Sequence, residues 1–549
     1  MAGHTLGTFK FRPNDNIGNL DAALDHDNLK ECFVDPGALD ILQNCAAPQR
    51  ILLGRTGSGK TALLFKIAET QENVIEFNPE VLSLNYISNS TLLPVLYDLG
   101  VNLNLFFDLL WRHTLAIELI RKKYGISGES QYKRILENLT ERFERDKSKA
   151  KALAYLRQWE DKFWLEADER AKNLTDRLER AITVNLGPPA YNIASLRLEA
   201  ARSKEARDEL VSRCQQVVNK VHGANMRGII DLLSACFDDE KQRYYILIDR
   251  LDDNWVDESY KVPLIRALLS CVKLLCSIRS IKVIVALRYD LLNRVFEDGN
   301  FTAQREKYES LFYGLKWTKH SLIEAVDERT NRLVMSRYSP NRMVTHKDIL
   351  ASNIGRSGRG PSAIEYMINR TLLRPRDLIS FFNICIKDAG SLPSITADVI
   401  RRAELEYSRG RLDALGWEWA SYYPTLIPIC KMLFASQPSH FVVASITEAS
   451  CISLIEYTRS ASKEGDPITR AAEDYNTSGD CLSFKRRILS IFYEVGLIGL
   501  KLSKAMPWEF ATSGLARLSE HEISESTRIA IHACFWRALG VRDNEEAYV

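Results

Sequence analysis

The sequence has no surplus of charge: 73 Lys and Arg stand against 71 Asp and Glu in 549 residues, a formal net charge of +2. A polyanionic partner, nucleic acid included, therefore has to be held by a local patch and not by the field of the whole molecule. No apolar run reaches bilayer length. The nearest candidate, Thr91–Trp111, is interrupted by Asp98, Asn102, Asn104 and Asp108 and is too polar to cross a membrane. The N-terminus lacks a basic stretch followed by an apolar one, so no signal peptide is expected. Eleven cysteines are scattered without a C-x-x-C pair, most of them in apolar surroundings. That usage predicts reduced, buried thiols in a cytoplasmic protein with no membrane partner.

Several chemistries are missing as well. His521-Glu522 has no second histidine at the spacing of a zinc protease, no serine sits in G-x-S-x-G, and no Cys, His and acid grouping suggests a thiol nucleophile. There is no L-S-G-G-Q run, no repeat of fixed period and no long low-complexity tract. With 46% hydrophobic and 26% charged residues the composition is that of a globular protein, which excludes a disordered or collagen-like chain. The length exceeds one hydrophobic core and predicts about three to four structural units.

What is present is an alternation of apolar runs and helical patterns. The alternating run Thr8-Phe9-Lys10-Phe11 ends at Pro13, and a helix is expected from Pro36 into Ile41-Leu42. Ile51-Leu52-Leu53 reads as a strand, Ala62–Ile67 as a helix and Asn73–Phe77 as a second strand. From about 90 to 235 the pattern is helical, and its charge-rich middle carries Leu139, Phe143, Leu153, Leu156, Trp159, Phe163, Ala167, Ala171, Leu174 and Leu178 on one stripe. Two readings stand here: an antiparallel, partly coiled helix pair, or a charged helical layer packed on the same domain. Strands return at Tyr244–Ile248 and Ile281–Leu287 around the apolar helix Val262–Leu275, a β-α-β spacing that favours a buried parallel sheet. Helices are expected over Ser321–Ser336, Ser362–Thr371, Pro375–Ala389 and near Ala397–Ser421, followed by short helices and a strand-like Gly496–Lys501. The basic loop from Gly355 to Gly360 reads as an inter-helix turn, with contact to nucleic-acid phosphates as the competing reading.

Gly54-Arg55-Thr56-Gly57-Ser58-Gly59-Lys60-Thr61 fits G-x-x-x-x-G-K-[ST] and lies between a strand and a helix. Glycines let the backbone turn tightly so that N–H groups, Gly54, Thr56, Gly57, Ser58 and Gly59 through Ala62, can cradle phosphates at the positive end of the helix. Lys60 is expected on the β- and γ-phosphates and the Thr61 hydroxyl on Mg²⁺. The apolar strand Tyr244–Ile248 ends in Asp249, the second expected metal residue. Asp252 and Asp253 are candidates to polarise an attacking water, with helix capping or a structural turn as the competing reading. Arg288, at the end of the next strand, is placed either to sense the γ-phosphate or to pair with Asp290 or Asp249. Arg374 and Arg376 flank Pro375 at a helix start, where they reach toward the nucleotide, toward a neighbouring subunit, or into solvent.

GRTGSGKT, ILIDRLDDNW, VIVALRYDLL and LLRPRDLISFFN together resemble a bacterial P-loop ATPase of the AAA+/STAND type, with the IDxLDDxW-type strand motif of a subgroup common in defence and mobile islands. The resemblance covers about 40–390. It implies an α/β fold with a parallel-sheet P-loop NTPase core, a long helical insertion, a helical lid and a C-terminal winged-helix-like domain. The division it suggests is an opening segment 1–47, core parts 48–84 and 240–320, an insertion 85–239, a lid 321–422 and a terminal domain 423–549. Arg288 would be sensor-like and Arg376 second-sensor-like, with Leu315-Lys316-Trp317 the last core strand. The implied function is an ATP- and Mg²⁺-dependent ATPase switch that is homo-oligomeric and acts with a separate effector or sensor protein, in anti-phage defence. Two departures matter: 189 positions separate Lys60 from Asp249, and Arg250 stands where many hydrolysing relatives carry glutamate. The alternative is a DNA-binding loader whose terminal domain contacts DNA through Lys485, Arg486 and Arg487; such modules equally serve as protein or oligomer contacts, the use that the near-neutral overall charge favours. A third reading is a scaffold that keeps nucleotide without turnover.

Overall fold

A computed structural model describes residues 10–12, 14–77, 79, 93–125, 137, 176, 178, 180–182, 184, 201, 203–253, 255–297, 304–355, 360–390, 392–461, 465–511 and 518–543. Most of the apolar stripe of the expected insertion, the run at Thr8-Phe9 and the residues 356–359 lie outside them. Two compact units are formed, one by Gly37–Leu53 and Leu63–Gly314, the other by Met1–Pro36, Gly54–Ala62 and Leu315–Val549.

The first unit is built on five parallel strands: β1 (Ile51–Leu53), β2 (Val74–Phe77), β3 (Tyr244–Ile248), β4 (Ile281–Leu287) and β5 (Phe312–Gly314), in the order β2-β3-β4-β1-β5. Every residue of β1, β3 and β4 is buried, the signature of strands covered on both faces. Helices α1 (Leu39–Gln43), α2 (Lys60–Thr70), α3 (Leu93–Leu99), α4 (Asn104–Tyr124), α5 (Lys204–Cys236), α6 (Glu258–Leu275) and α7 (Tyr289–Val295) accompany them. Helix α4 packs against both α5 and α6 and buries Trp111, whose Nε1 donates to Leu264 O at 2.9 Å. The two ends of the expected insertion therefore belong to this unit's own core.

A buried charge interrupts the apolar interior of the sheet. Lys282 of β4 is fully buried, and its Nζ donates to Asn44 O and Ala47 O at 2.8 Å and Ile41 O at 3.4 Å, at the carbonyl end of α1. Burial draws its pKa down to about 7. This anchor divides the expected opening segment 1–47. Its last residues belong with the sheet, while Asp15, Asp25 and Glu31 form ion pairs of 2.7–2.9 Å with Arg337, Arg329 and Arg332 in the second unit.

The second unit begins with α8 (Lys319–Arg337), α9 (Ala363–Asn369), α10 (Pro375–Ala389), α11 (Ala397–Trp419) and α12 (Leu426–Phe434). Then come β6 (His440–Val442), α13 (Glu448–Ser460), α14 (Pro467–Ser478), α15 (Cys481–Val495), β7 (Ile498–Lys501), β8 (Glu509–Phe510), β9 (Arg528–Ile531) and α16 (Trp536–Leu539). The four strands form an antiparallel sheet in the order β6-β9-β7-β8. One hydrophobic core runs from Leu322 to Leu539, so the expected lid and terminal domain share an interior. Leu315-Lys316-Trp317 is not a strand: pairing stops at Gly314, and these residues lead to α8. Among the described residues, no helix is long and apolar enough to cross a membrane.

Candidate functional site

Strand β1 stops at Leu53 and α2 starts at Lys60, so the glycine-rich loop is the whole connection between them. Gly57 and Gly59 have φ of +76° and +94°, conformations that glycine adopts without steric cost. Turns of this kind bring successive N–H groups to one concave side. Lys60 folds back on the loop, its Nζ donating to Gly54 O at 3.0 Å and Arg55 O at 3.2 Å. The hydroxyl oxygens of Thr56 and Ser58 are buried with no hydrogen-bond partner. An unmet buried hydroxyl costs about 1–3 kcal/mol.

Side chains from distant parts of the same unit close around this loop. Trp317 Nε1 donates to Ser58 O at 2.7 Å. Arg374 is buried, and its Nη1 donates to Thr56 O at 2.7 Å. Arg376 lies over Gly57 so closely that a Cβ there would come within 2.9 Å of its Cβ and Cδ, while its Nε donates to Leu20 O at 2.8 Å. Burial draws the Arg376 guanidinium below its usual pKa, against the pull of Asp377. Both arginines of Arg374-Pro375-Arg376 thus reach the loop, and neither is a solvent-facing turn. Asp377 holds this helix start in place: it is fully buried, with Oδ2 accepting from Leu372 N at 3.1 Å and Oδ1 3.2 Å from Arg411 Nη1. Burial alone would raise its pKa, but Arg411 and Arg374 outweigh that and lower it.

Arg55 makes the longest reach in sequence. Its Nη1 and Nη2 donate to Val495 O at 3.0 Å and Glu494 O at 2.7 Å, the last carbonyls of α15. A cation at a helix C-terminus satisfies carbonyls that have no partner inside the helix. Gly496 is favoured there by its φ of +84°, and a Cβ at this position would fall 2.4 Å from Arg55 Nη1 and oblige that guanidinium to move. Burial pushes nearby His532 down to about 4, so it stays neutral in the field of Arg374 and Arg55. The sequence offers Arg374 a reach toward the nucleotide without showing its partner, and it assigns Trp317 and Arg55 no contact with the rest of the loop. The partners of Trp317, Arg374 and Arg55 lie 259, 318 and 440 positions away, beyond any local pattern.

The remaining candidates sit on the sheet unit. Ile248 pairs with Val285 and Leu53 with Leu287, so β1, β3 and β4 finish at one edge, and the residues that follow are Gly54, Asp249 and Arg288. Asp249 Oδ1 accepts from Arg250 N at 2.9 Å. Arg250 itself has φ of +60°, a left-handed conformation that costs a non-glycine residue about 1–2 kcal/mol. Trp255 pins the turn, buried against Trp111 with its Nε1 on Leu251 O at 2.9 Å. The tryptophan of the strand motif is therefore an anchor for the loop after Asp249. Arg288 forms a two-point ion pair with Asp290, at 3.0 and 2.9 Å, and lies 3.6 Å from Asp252. Asp252 and Asp253 are exposed, and neither caps the next helix; Asp257 does, its side chain accepting from Ser259 N.

Lys485, Arg486 and Arg487, the residues expected on DNA, are engaged inside their own domain. Lys485 Nζ is 3.0 Å from Glu525 Oε1, Arg486 Nε donates to Ile523 O at 2.7 Å, and Arg487 pairs with Glu520.

Residues 320–416, from α8 through most of α11, match the family described as the FunZ-associated C-terminal helical domain. No curated protein matches the chain. The chain is thus an α/β protein with a five-stranded parallel sheet and, C-terminal to it, a helical domain similar to that family.

Proposed function

We propose that the chain is an ATP-dependent switch, a P-loop ATPase whose nucleotide state controls assembly with further copies of itself and the activity of a partner effector. The observation that carries this reading is the glycine-rich loop between a buried parallel strand and a helix that opens on Lys60, with two left-handed glycines and two unsatisfied buried hydroxyls. Those residues fit a phosphate chain: the loop amides cradle it, Lys60 leaves the Gly54 and Arg55 carbonyls for phosphate oxygens, and the Thr56 and Ser58 hydroxyls gain acceptors. The sheet order supports the same reading, because the strand before Asp249 and the strand before the loop are separated by one strand and end at one edge.

Thr61 and Asp249 would hold Mg²⁺, which when bound neutralises charge on the phosphates. Arg376 and Arg374, already on the loop, are placed to follow its movement. Arg288 would have to leave Asp290 to reach a phosphate. Asp252 and Asp253, exposed after Asp249, are the carboxylates available to orient a water. A winged-helix reading of the terminal domain draws support from the order of α12, β6, α13, α15, β7 and β9 and from their β6-β9-β7 pairing. The internal pairing of Lys485, Arg486 and Arg487 favours its use as a protein contact over a DNA contact. The resemblance to defence-island ATPases supplies the biological setting, protection against phage.

Phosphate release tests this. Asp249→Asn is expected to retain ATP within about tenfold of the wild-type affinity and to lose roughly 100-fold or more in turnover, since the metal loses an anionic partner. An unchanged rate in that variant would remove Asp249 from the site.

A further inference from the structure

Two thiols outside the loop and its partners lie in contact. Cys451, on the first turn of α13, and Cys481, the first residue of α15, place their Sγ atoms 3.2 Å apart. They are 30 positions apart in sequence, and both helices belong to the same unit. All eleven cysteines are free thiols, and nine are buried; Cys481 is one of the two that are partly accessible. Cys451 is 1% exposed. Cys481 is thus the partly accessible member of the pair and Cys451 the buried one, so a reagent in solution meets Cys481 first.

We propose that Cys451 and Cys481 are a reversible disulfide site, taking a small-molecule disulfide such as oxidised glutathione as its oxidant. The Cys481 thiolate attacks one sulfur of the oxidant, forming a mixed disulfide and releasing one glutathione thiolate. Cys451 then attacks Cys481 Sγ and gives its proton to the departing glutathione sulfur, so that the second glutathione leaves as the thiol. Two protein thiols lose two electrons, and one glutathione disulfide becomes two glutathione thiols. Contact between the sulfurs makes the second step intramolecular, which is what favours the internal bond over a lasting adduct. Burial raises Cys451 to about 12, with Lys485 opposing, so that second step is the slower one.

The bond would tie α13 to the N-terminal end of α15. The other end of α15 supplies the carbonyls that hold Arg55. The proposal does not depend on nucleotide binding, and its test does not use it.

The full-length chain is treated with oxidised glutathione at mildly alkaline pH under native conditions, and its intact mass and non-reduced peptides are read over time. The expected result is a transient adduct followed by a net loss of two hydrogens, a peptide joining Cys451 to Cys481, and full reversal by dithiothreitol. Cys451→Ser should stop at a glutathione adduct on Cys481, and Cys481→Ser should give no cross-link. The wild-type measurement stands alone if either variant fails to fold. A stable adduct on Cys481, unreacted thiols at both positions, or a cross-link formed only in denaturant would each overturn the proposal.

Discussion

Replacing Lys60 by alanine should weaken ATP binding by roughly 100-fold or more while leaving the fold intact. The side chain is half-buried, and its Nζ donates to the Gly54 and Arg55 carbonyls of its own loop. A charge-assisted hydrogen bond contributes about 1.5–3 kcal/mol, and on the proposed reading Lys60 makes such bonds to two phosphates. The loss of two local carbonyl contacts at a solvent-accessible position costs the apo protein about 1 kcal/mol or less. Affinity and melting temperature should thus separate: the first collapses, the second barely moves. Equilibrium titration with a fluorescent ATP analogue, beside a thermal melt of the same preparation, reads both. Equal loss of both would make Lys60 a structural residue.

The largest effect on stability is expected from Asp377→Ala. This carboxylate is fully buried and answers three donors: Leu372 N, Arg411 and, at 3.6 Å, Arg374. Deleting it leaves two buried or nearly buried guanidinium groups without their main counter-charge, which costs about 3–5 kcal/mol. The cost arises in the helical unit, so denaturant unfolding followed by tryptophan fluorescence, to which this unit contributes Trp317, Trp417, Trp419, Trp508 and Trp536, should show it as a lower midpoint. Arg374 also holds Thr56 O, so the variant should bind nucleotide less well even where it remains folded. A change below about 1 kcal/mol would mean that the network is already hydrated and that Asp377 does not position the arginines.

The sheet was legible because parallel strands buried on both faces are short continuous apolar runs, and Tyr244–Ile248 and Ile281–Leu287 stand out as such. The helix Pro375–Ala389 was legible to the residue, since Pro at a first-turn position marks a start. The expected start of α6, at Val262, was four residues late. Pro263 lies inside that helix, which begins at Glu258 behind the Asp257 cap; a proline in the second turn removes one internal hydrogen bond and did not end it. Of the candidate site, the glycine-rich loop between a strand and a helix and the strand before Asp249 were legible because their pattern is local in sequence. Arg288 was caught with its ion-pair alternative, and the structure displays that alternative. The basic run Lys485–Arg487 looked like a face for DNA because its partners, Glu520 to Glu525, are more than thirty positions on. Helical rotation of about 100° per residue sends neighbouring side chains in different directions, so a run of like charge on a helix is not a patch. Arg55 was hidden for the same reason: a loop cation can only be assigned once the helix end it caps is known.

The most direct test of the central claim is a titration of the wild-type chain with ATP in the presence and absence of Mg²⁺, followed by calorimetry. Saturable binding of one nucleotide per chain is expected, tightened by Mg²⁺ and losing that metal-dependent part in Asp249→Asn. Absence of saturable binding, or binding indifferent to both Mg²⁺ and Asp249, would contradict that claim.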